Sequence, residues 1–469
     1  MKRFLALFLV LALLCGLLGC SGTANKKNGL KVGFGRASIL PKEKVTMDDG
    51  MSEGYLDELS TTCIAISEGD ETILLFTIDM VSVYNVHIYN AQNHVSEATG
   101  VPVENIILSC THTHTSYSIA SSDNSTQRET FWQACADAGV AAMEDLSAAE
   151  VYYGSDYTEN ITFIRHYYTS TGGIVGVHQG TVANAAEHEY DADEEIQVIR
   201  FSREDKKDVV MMNCAAHPHM ASQRYDRLLS ADWPGAARTY VEENTDSLCA
   251  VFQSDAGDTT PCTRFPELSL DGYRMDHVAI GNSIGEVCVS VLNGEMTKAE
   301  GSGIKLSVQE YTRASMKEGI DNDELMKQAA NIHSLRQSYG IKHAYVANAV
   351  ALSDIDTAYE ASGLIARQNN PDTYTMELHA LAVDGISFIF APFEMFTSTG
   401  LSIKENSPYD MTFLISDSES SSYHMGYIPD ENGCEKNYYE YDITKFARGT
   451  AEDLAKVYVE ILTDIKNAD

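Results

Sequence analysis

Four apolar runs in this chain end, at their C-terminal side, in residues able to do chemistry. That recurrence constrains the fold more than any single motif. Ile106 to Cys110 runs into Thr111-His112-Thr113-His114. Asp208 to Cys214 runs into Ala215-Ala216-His217-Pro218-His219. Leu248 to Phe252 runs into Gln253-Ser254-Asp255-Ala256-Gly257-Asp258-Thr259-Thr260-Pro261. Ile386 to Phe390 runs into Ala391-Pro392-Phe393-Glu394. In α/β sheets, ligands bind outside the carboxyl ends of strands. The pattern predicts an α/β fold: a single large domain with mixed β-sheets flanked by helices, and a zinc site at strand C-terminal ends.

The chemistry starts from His112 and His114. Residues i and i+2 of an extended strand project from one face, so both imidazoles are expected to address one point. Neutral imidazole is the commonest protein ligand for zinc. Two histidines and a carboxylate, with one position open, form the set used by catalytic zinc. His217 and His219 compete for the second histidine position.

Further strands are expected over Leu30 to Pro41 (loosened by Gly33 and Gly35), Glu71 to Val83, Val151 to Arg165, Ile196 to Phe201, Tyr374 to Val383 and Met411 to Ile415. Val182 to Glu195 reads as an acidic loop. Helices are expected over Tyr84 to Ala98, Gln127 to Met143 with Ser125 as N-cap, Ala236 to Glu243, Asp276 to Leu292, and Asp321 to Tyr339 stopped by Gly340. The last helix opens at Thr450 with Asp453 at N3 of a loose capping box. Leu454, Val457, Tyr458, Ile461 and Leu462 form its apolar face.

The first residues read as a targeting segment. Lys2 and Arg3 precede an apolar run, Phe4 to Leu14, that is too short to span a bilayer. Leu17-Leu18-Gly19-Cys20 resembles the lipobox of bacterial lipoproteins. The resemblance implies a signal peptide over 1–19, a lipidated Cys20, a flexible tether over 20–29, and attachment to the extracytoplasmic face of a bacterial membrane. The formal net charge of −35 excludes nucleic acid as a partner and favours a neutral or cationic substrate. The cysteines are scattered with no CxxC pair, which argues against a thiolate zinc site.

Taken together, the motifs resemble the neutral/alkaline ceramidases, zinc-dependent amidases that split the N-acyl bond of ceramide. The family's T-H-T-H strand ending stands here as Thr111-His112-Thr113-His114. This implies zinc on His112 and substrate-side hydrogen bonding by His114. Ala215-Ala216-His217 matches the turn bearing the second histidine ligand. Pro392-Phe393-Glu394-Met395-Phe396-Thr397 is similar to the segment bearing the glutamate ligand. Gly426-Tyr427-Ile428-Pro429 is similar to that of the tyrosine ligand, followed by Tyr439-Glu440. Leu229-Ser230-Ala231-Asp232-Trp233-Pro234-Gly235 also matches a family segment. The implied metal set is His112, His217, Glu394 and Tyr427, with Zn2+ as cofactor. The expected catalytic group is Thr260, with His114, Arg165 and Tyr439 donating to the developing oxyanion.

Two departures are visible. Gly257-Asp258-Thr259-Thr260-Pro261 carries threonine where the family has its catalytic serine. Thr260 is then either a nucleophile or a hydrogen-bond partner in water-driven hydrolysis. The family also carries a C-terminal β-sandwich, whereas the 30–469 catalytic domain is expected here to end in the Thr450 to Lys466 helix. Asp258 or Asp255 is expected to orient the threonine loop, and Asp79 and Asp232 to fix the ligand imidazoles. The expected function is hydrolysis of a linear amide, with ceramide or another N-acyl lipid first among substrates. A peptide or small amide, and a non-catalytic zinc-binding lipoprotein, are the competing readings.

Overall fold

Alternation along the strands divides their side chains between two sides of a large mixed sheet. The computed structural model describes residues 29–47, 50–83, 85–176, 185–225, 227–261, 276–301, 303–339, 355, 358–419 and 425–468. Residues 1–19, expected to be a signal peptide, Cys20, residues 21–28 of the expected tether, Tyr84, residues 182–184 of the acidic loop, and Gly340 lie outside them.

In chain order the main strands are β1 (Lys31–Ser38), β2 (Ser60–Glu68), β3 (Glu71–Ile78), β4 (Ile106–Cys110), β5 (Ser147–Tyr157), β6 (Glu195–Arg203), β7 (Asp208–Cys214) and β8 (Ser247–Gln253). In space they run β8-β7-β6-β5-β1-β2-β3-β4, with short Ser418–Glu419 beyond β4. β3 and β4 are parallel, as are β7 and β8; the other neighbours are antiparallel. The sheet curls enough for β8 to reach β3: the Thr77 hydroxyl donates to the Val251 carbonyl at 2.6 Å. The ends of β4, β7 and β8 are thereby gathered.

A second sheet has the order β9 (Ile304–Ala314), β10 (Thr373–Val383), β11 (Ile386–Phe390), β12 (Thr412–Ile415). Its Phe388, Phe390 and Phe413 pack on Phe252, Leu75 and Ile107 of the first sheet. Each such buried side chain contributes about 2–3 kcal/mol. The opposite face of the first sheet is covered by α1 (Asn85–Thr99), α2 (Arg128–Glu144), α3 (Asp232–Asn244) and α4 (His277–Asn293). Two helices, α5 (Asp323–Tyr339) and α6 (Ala358–Asn369), pack on each other through Leu325, Ala329, Ala361 and Leu364. The outer face of the second sheet is covered by α7 (Thr397–Asn406) and α8 (Thr450–Asn467). The result is four layers, helix–sheet–sheet–helix, a mixed α/β architecture as expected.

Several local expectations are corrected. Gly33 and Gly35 do not loosen β1. A Cβ on either would stand 2.0 Å from the Ala142 or Ala138 carbonyl, so both let α2 lie directly on the strand. Ser125 does not cap α2; residues Ser122–Gln127 form a 3-10 turn whose N-cap is Ser121, and Gln127 precedes the helix. The capping box at α8 does not form. Gly449 (φ 74°) is the N-cap, the Thr450 hydroxyl donates to the Ala447 carbonyl, and Asp453 accepts from the Tyr311 hydroxyl. Within the acidic loop, Ala185–His188 forms a strand on His166–Thr169. The strand expected over Val151 to Arg165 ends at Tyr157, and Phe163–Ile164 pairs separately with Thr259–Thr260.

The seven cysteines among the described residues are all buried. No helix among them is long and apolar enough to cross a membrane.

Candidate metal centre

Three imidazoles meet where β4 and β7 end. The ring centroids of His112, His114 and His217 are 5.0, 4.8 and 5.0 Å apart, a nearly equilateral triangle. His112 and His114 do not sit on an extended strand. β4 stops at Cys110, and His112 has a left-handed backbone (φ 65°), an uncommon state for a residue with a side chain. The loop is pinned instead: the His114 amide donates to the Pro218 carbonyl, and the Thr113 hydroxyl to the Ser230 carbonyl.

Backbone carbonyls set the ring orientations. His112 Nδ1 lies 2.9 Å from the Val81 carbonyl, and His217 Nδ1 lies 3.0 Å from the Ala256 carbonyl. With Nδ1–H donating, each Nε2 keeps a lone pair for a cation. His217 Nε2 and His114 Nε2 face one another at 2.9 Å. His112 Nε2 lies 3.4 Å from Glu394 Oε2. Asp417 Oδ1 stands 3.3 Å from His112 Nδ1. Two groups thus have the spacing to hold a metal ion, His112–His114–His217 and His112–Glu394–Asp417, joined at His112.

The donor chemistry fits a divalent cation with nitrogen and oxygen ligands. Burial and the neighbouring imidazoles His112, His114 and His219 push His217 well below its ordinary value, which keeps it neutral. Burial alone would also lower His112, but Asp417 and Glu394 outweigh it and raise it. Two buried carboxylates are costly unless positive charge balances them, and at this site a proton on His112 or a bound cation would supply it.

Glu394 reaches the centre on a two-residue parallel bridge, Glu394–Met395 against Tyr427–Ile428, which makes Tyr427 its register partner. Burial, then Glu394, pushes the Tyr427 phenol well up. The loop after β8 closes on this bridge at Gly257, whose amide donates to the Met395 carbonyl at 2.7 Å.

Arg165 is buried beside the bridge, its guanidinium 5.1 Å from the Tyr427 ring and 6.0 Å from the Tyr439 ring. Glu440 holds it, with Arg165 Nη2 to Glu440 Oε1 at 2.5 Å, and Arg165 also donates to the Gly257 carbonyl. His166 is the other neighbour of the Glu440 carboxylate, at 3.3 Å. Burial would raise Glu440, but Arg165 and His166 hold it down to about 2. Thr260 Oγ1 lies 3.1 Å from His219 Nε2. His219 therefore faces the threonine, while His217 faces His114.

The four strand endings read from sequence do converge. Asp417, which follows β12, has no place in the sequence reading, and Glu440 appears there beside Tyr439 without a role. Asp258 does orient the threonine loop, accepting from the Thr397 amide and hydroxyl and from the Tyr190 hydroxyl. Asp79 and Asp232 do not fix imidazoles. Asp79 accepts from Arg238 and Ser60, and Asp232 from the Ala221 and Trp233 amides.

No protein-family model matches the sequence, and no curated protein sequence does. Solved structures do match. The crystal structure of neutral ceramidase from Pseudomonas aeruginosa aligns with a TM-score of 0.67 at 12% identity, over 94% of this chain and 75% of that one. A ceramidase complexed with C2 aligns with a TM-score of 0.67 at 13% identity, over 94% and 76%. At these identities the likeness is one of fold.

Proposed function

We propose that the chain is a zinc-dependent hydrolase of a linear amide, with ceramide or another N-acyl lipid as substrate. The observation that carries the reading is the facing pair of Nε2 atoms of His114 and His217 beside His112 and Glu394. The fold shared with ceramidases supports the substrate class. His112, His217, Glu394 and Tyr427 are the proposed ligands. A bound zinc would supply Lewis-acid polarisation of the amide carbonyl and acidification of water.

The chain's own residues do the rest. His219 holds the Thr260 hydroxyl, 3.1 Å from its Nε2. Arg165, anchored by Glu440, keeps a fixed positive charge beside Tyr427 and Tyr439. Well-placed donors facing a developing oxyanion contribute about 3 kcal/mol each. His114 is half-buried, and so stands nearest the solvent-facing side, where a substrate carbonyl arrives. Hydrolysis breaks the C–N bond: the acyl carbon gains the hydroxyl of water and the amine gains its proton.

The test is turnover of an N-acyl sphingoid base against short soluble amides, with and without chelator. Chelator-sensitive cleavage of the lipid amide, lost in His217→Ala, supports the reading. Equal rates on short amides would move the substrate to a peptide or small amide. Bound metal with no turnover on either would leave a binding lipoprotein. The leader-like residues also support attachment at Cys20, and retention of Cys20→Ser in the membrane fraction would overturn that part.

A further inference from the structure

The segment after β12 is stitched into the centre from several directions. The Ser416 amide donates to the Gln253 carbonyl, the Asp417 amide to the Phe393 carbonyl, and the Ser418 amide to the Ala391 carbonyl. The Asp417 carbonyl accepts from the Cys110 amide at 3.1 Å. Asp417 is thus tied both to the strand that delivers His112 and to the residue before Glu394. Its backbone is left-handed (φ 50°), like that of His112 (φ 65°). Strain of this kind at a non-glycine residue persists where the surroundings fix it. It aims a carboxylate that is 2% exposed at the His112 ring, 3.3 Å from Nδ1.

The Nδ1–H already has an acceptor in the Val81 carbonyl at 2.9 Å. What Asp417 adds is charge. Glu394 and Asp417 together carry two negative charges around His112, which balances one divalent ion, with Tyr427 left as a neutral phenol.

We infer that Asp417 is a positioning residue of the metal centre, the charge-bearing partner of His112 that sets how tightly the divalent ion is held. This rests on the metal-centre part of the proposed function and not on the identity of the substrate.

The test is competition titration of Zn2+ against a chromophoric chelator, with Co2+ absorption spectra, on the wild-type protein and on Asp417→Asn. The variant keeps the shape and removes the charge. Partners behind metal-bound histidines typically contribute 10–100-fold in affinity. Expected are a 10–100-fold weaker Zn2+ affinity, an unchanged stoichiometry of one, and a Co2+ spectrum of unchanged coordination number. Wild-type affinity in Asp417→Asn would overturn the inference. So would a Co2+ spectrum showing a lost ligand, which would make Asp417 a ligand instead. Asp417→Glu keeps the charge and guards against a folding defect in the first variant. Its affinity should lie between the other two, and a natively folded Asp417→Glu as weak as Asp417→Asn would also overturn the charge role. Absence of Zn2+ and Co2+ binding in the wild type would instead remove the proposed metal centre itself. Intact wild-type binding with no lipid-amide turnover would leave this inference standing.

Discussion

Arg165 and Glu440 form a buried ion pair at 2.5 Å, both nearly inaccessible to solvent, across 275 residues of sequence. Removing one partner of such a pair leaves an uncompensated charge and costs about 3–5 kcal/mol. Glu440→Gln is therefore expected to lower stability at neutral pH by that order, measured by urea denaturation. The pH dependence follows from the direction of the shift. Glu440 is held down to about 2 from an ordinary 4.5. Its contribution is present above the unfolded value and is lost as pH falls through about 2. The gap between wild type and Glu440→Gln should narrow between these limits. A constant gap down to pH 2 would remove the ion-pair account.

Thr260 separates two hydrolytic routes. Its hydroxyl lies 3.1 Å from His219 Nε2. If that hydroxyl takes part in the reaction, Thr260→Val, which keeps the branched shape, should lower kcat by roughly 10²–10⁴-fold. Thr260→Ser should retain activity, since it drops only the methyl that crowds the oxygen. A kcat in Thr260→Val within a few-fold of wild type would assign attack to water, with the threonine a bystander.

The sequence disclosed the site better than its local geometry. Apolar runs that end in His, Asp and Glu are visible one by one, and parallel pairing of β3 with β4 and of β7 with β8 lets their ends share a face. The reason for convergence was not visible. His112 and His114 meet because the chain leaves the strand and turns left-handed at His112, whereas period-two alternation assumed an extended chain. Asp417 carried the same signal as the other endings, two residues beyond Ile415, but the strand was read without its ending. Asp79 and Asp232 looked like partners of the histidines because they flank the right strands. The orienting groups are instead carbonyls of Val81 and Ala256, which no side-chain pattern encodes. Gly33 and Gly35 likewise report the approach of α2, a tertiary contact that strand propensity does not describe.

Metal removal should be visible in stability. A ligand that binds only the folded state stabilises it by about 4 kcal/mol at a free concentration 1,000 times Kd. Differential scanning calorimetry with excess Zn2+ and then with chelator should show a lower Tm in the second scan. The same pair of scans on His112→Ala should coincide. A chelator-insensitive wild-type Tm would mean that the imidazoles and carboxylates are not held together by a cation.

Gly257 offers a test of how the centre is assembled that touches no donor atom. A Cβ at this position would stand 2.6 Å from the Glu394 carbonyl and 2.7 Å from the Met395 carbonyl. Both are backbone atoms and cannot rotate away. Gly257→Ala must therefore part the loop after β8 from the Glu394–Met395 bridge. Overpacking of this kind costs about 1–3 kcal/mol. The displacement also moves the Ala256 carbonyl that orients His217 and the Gly257 carbonyl that anchors Arg165. Zn2+ affinity and kcat should fall together in Gly257→Ala. Gly29→Ala, where nothing lies within 4 Å, should change neither. Loss of stability with wild-type metal affinity would mean that Glu394 and His217 are held independently of this contact. The strand endings would then be four separate structures and not one assembly.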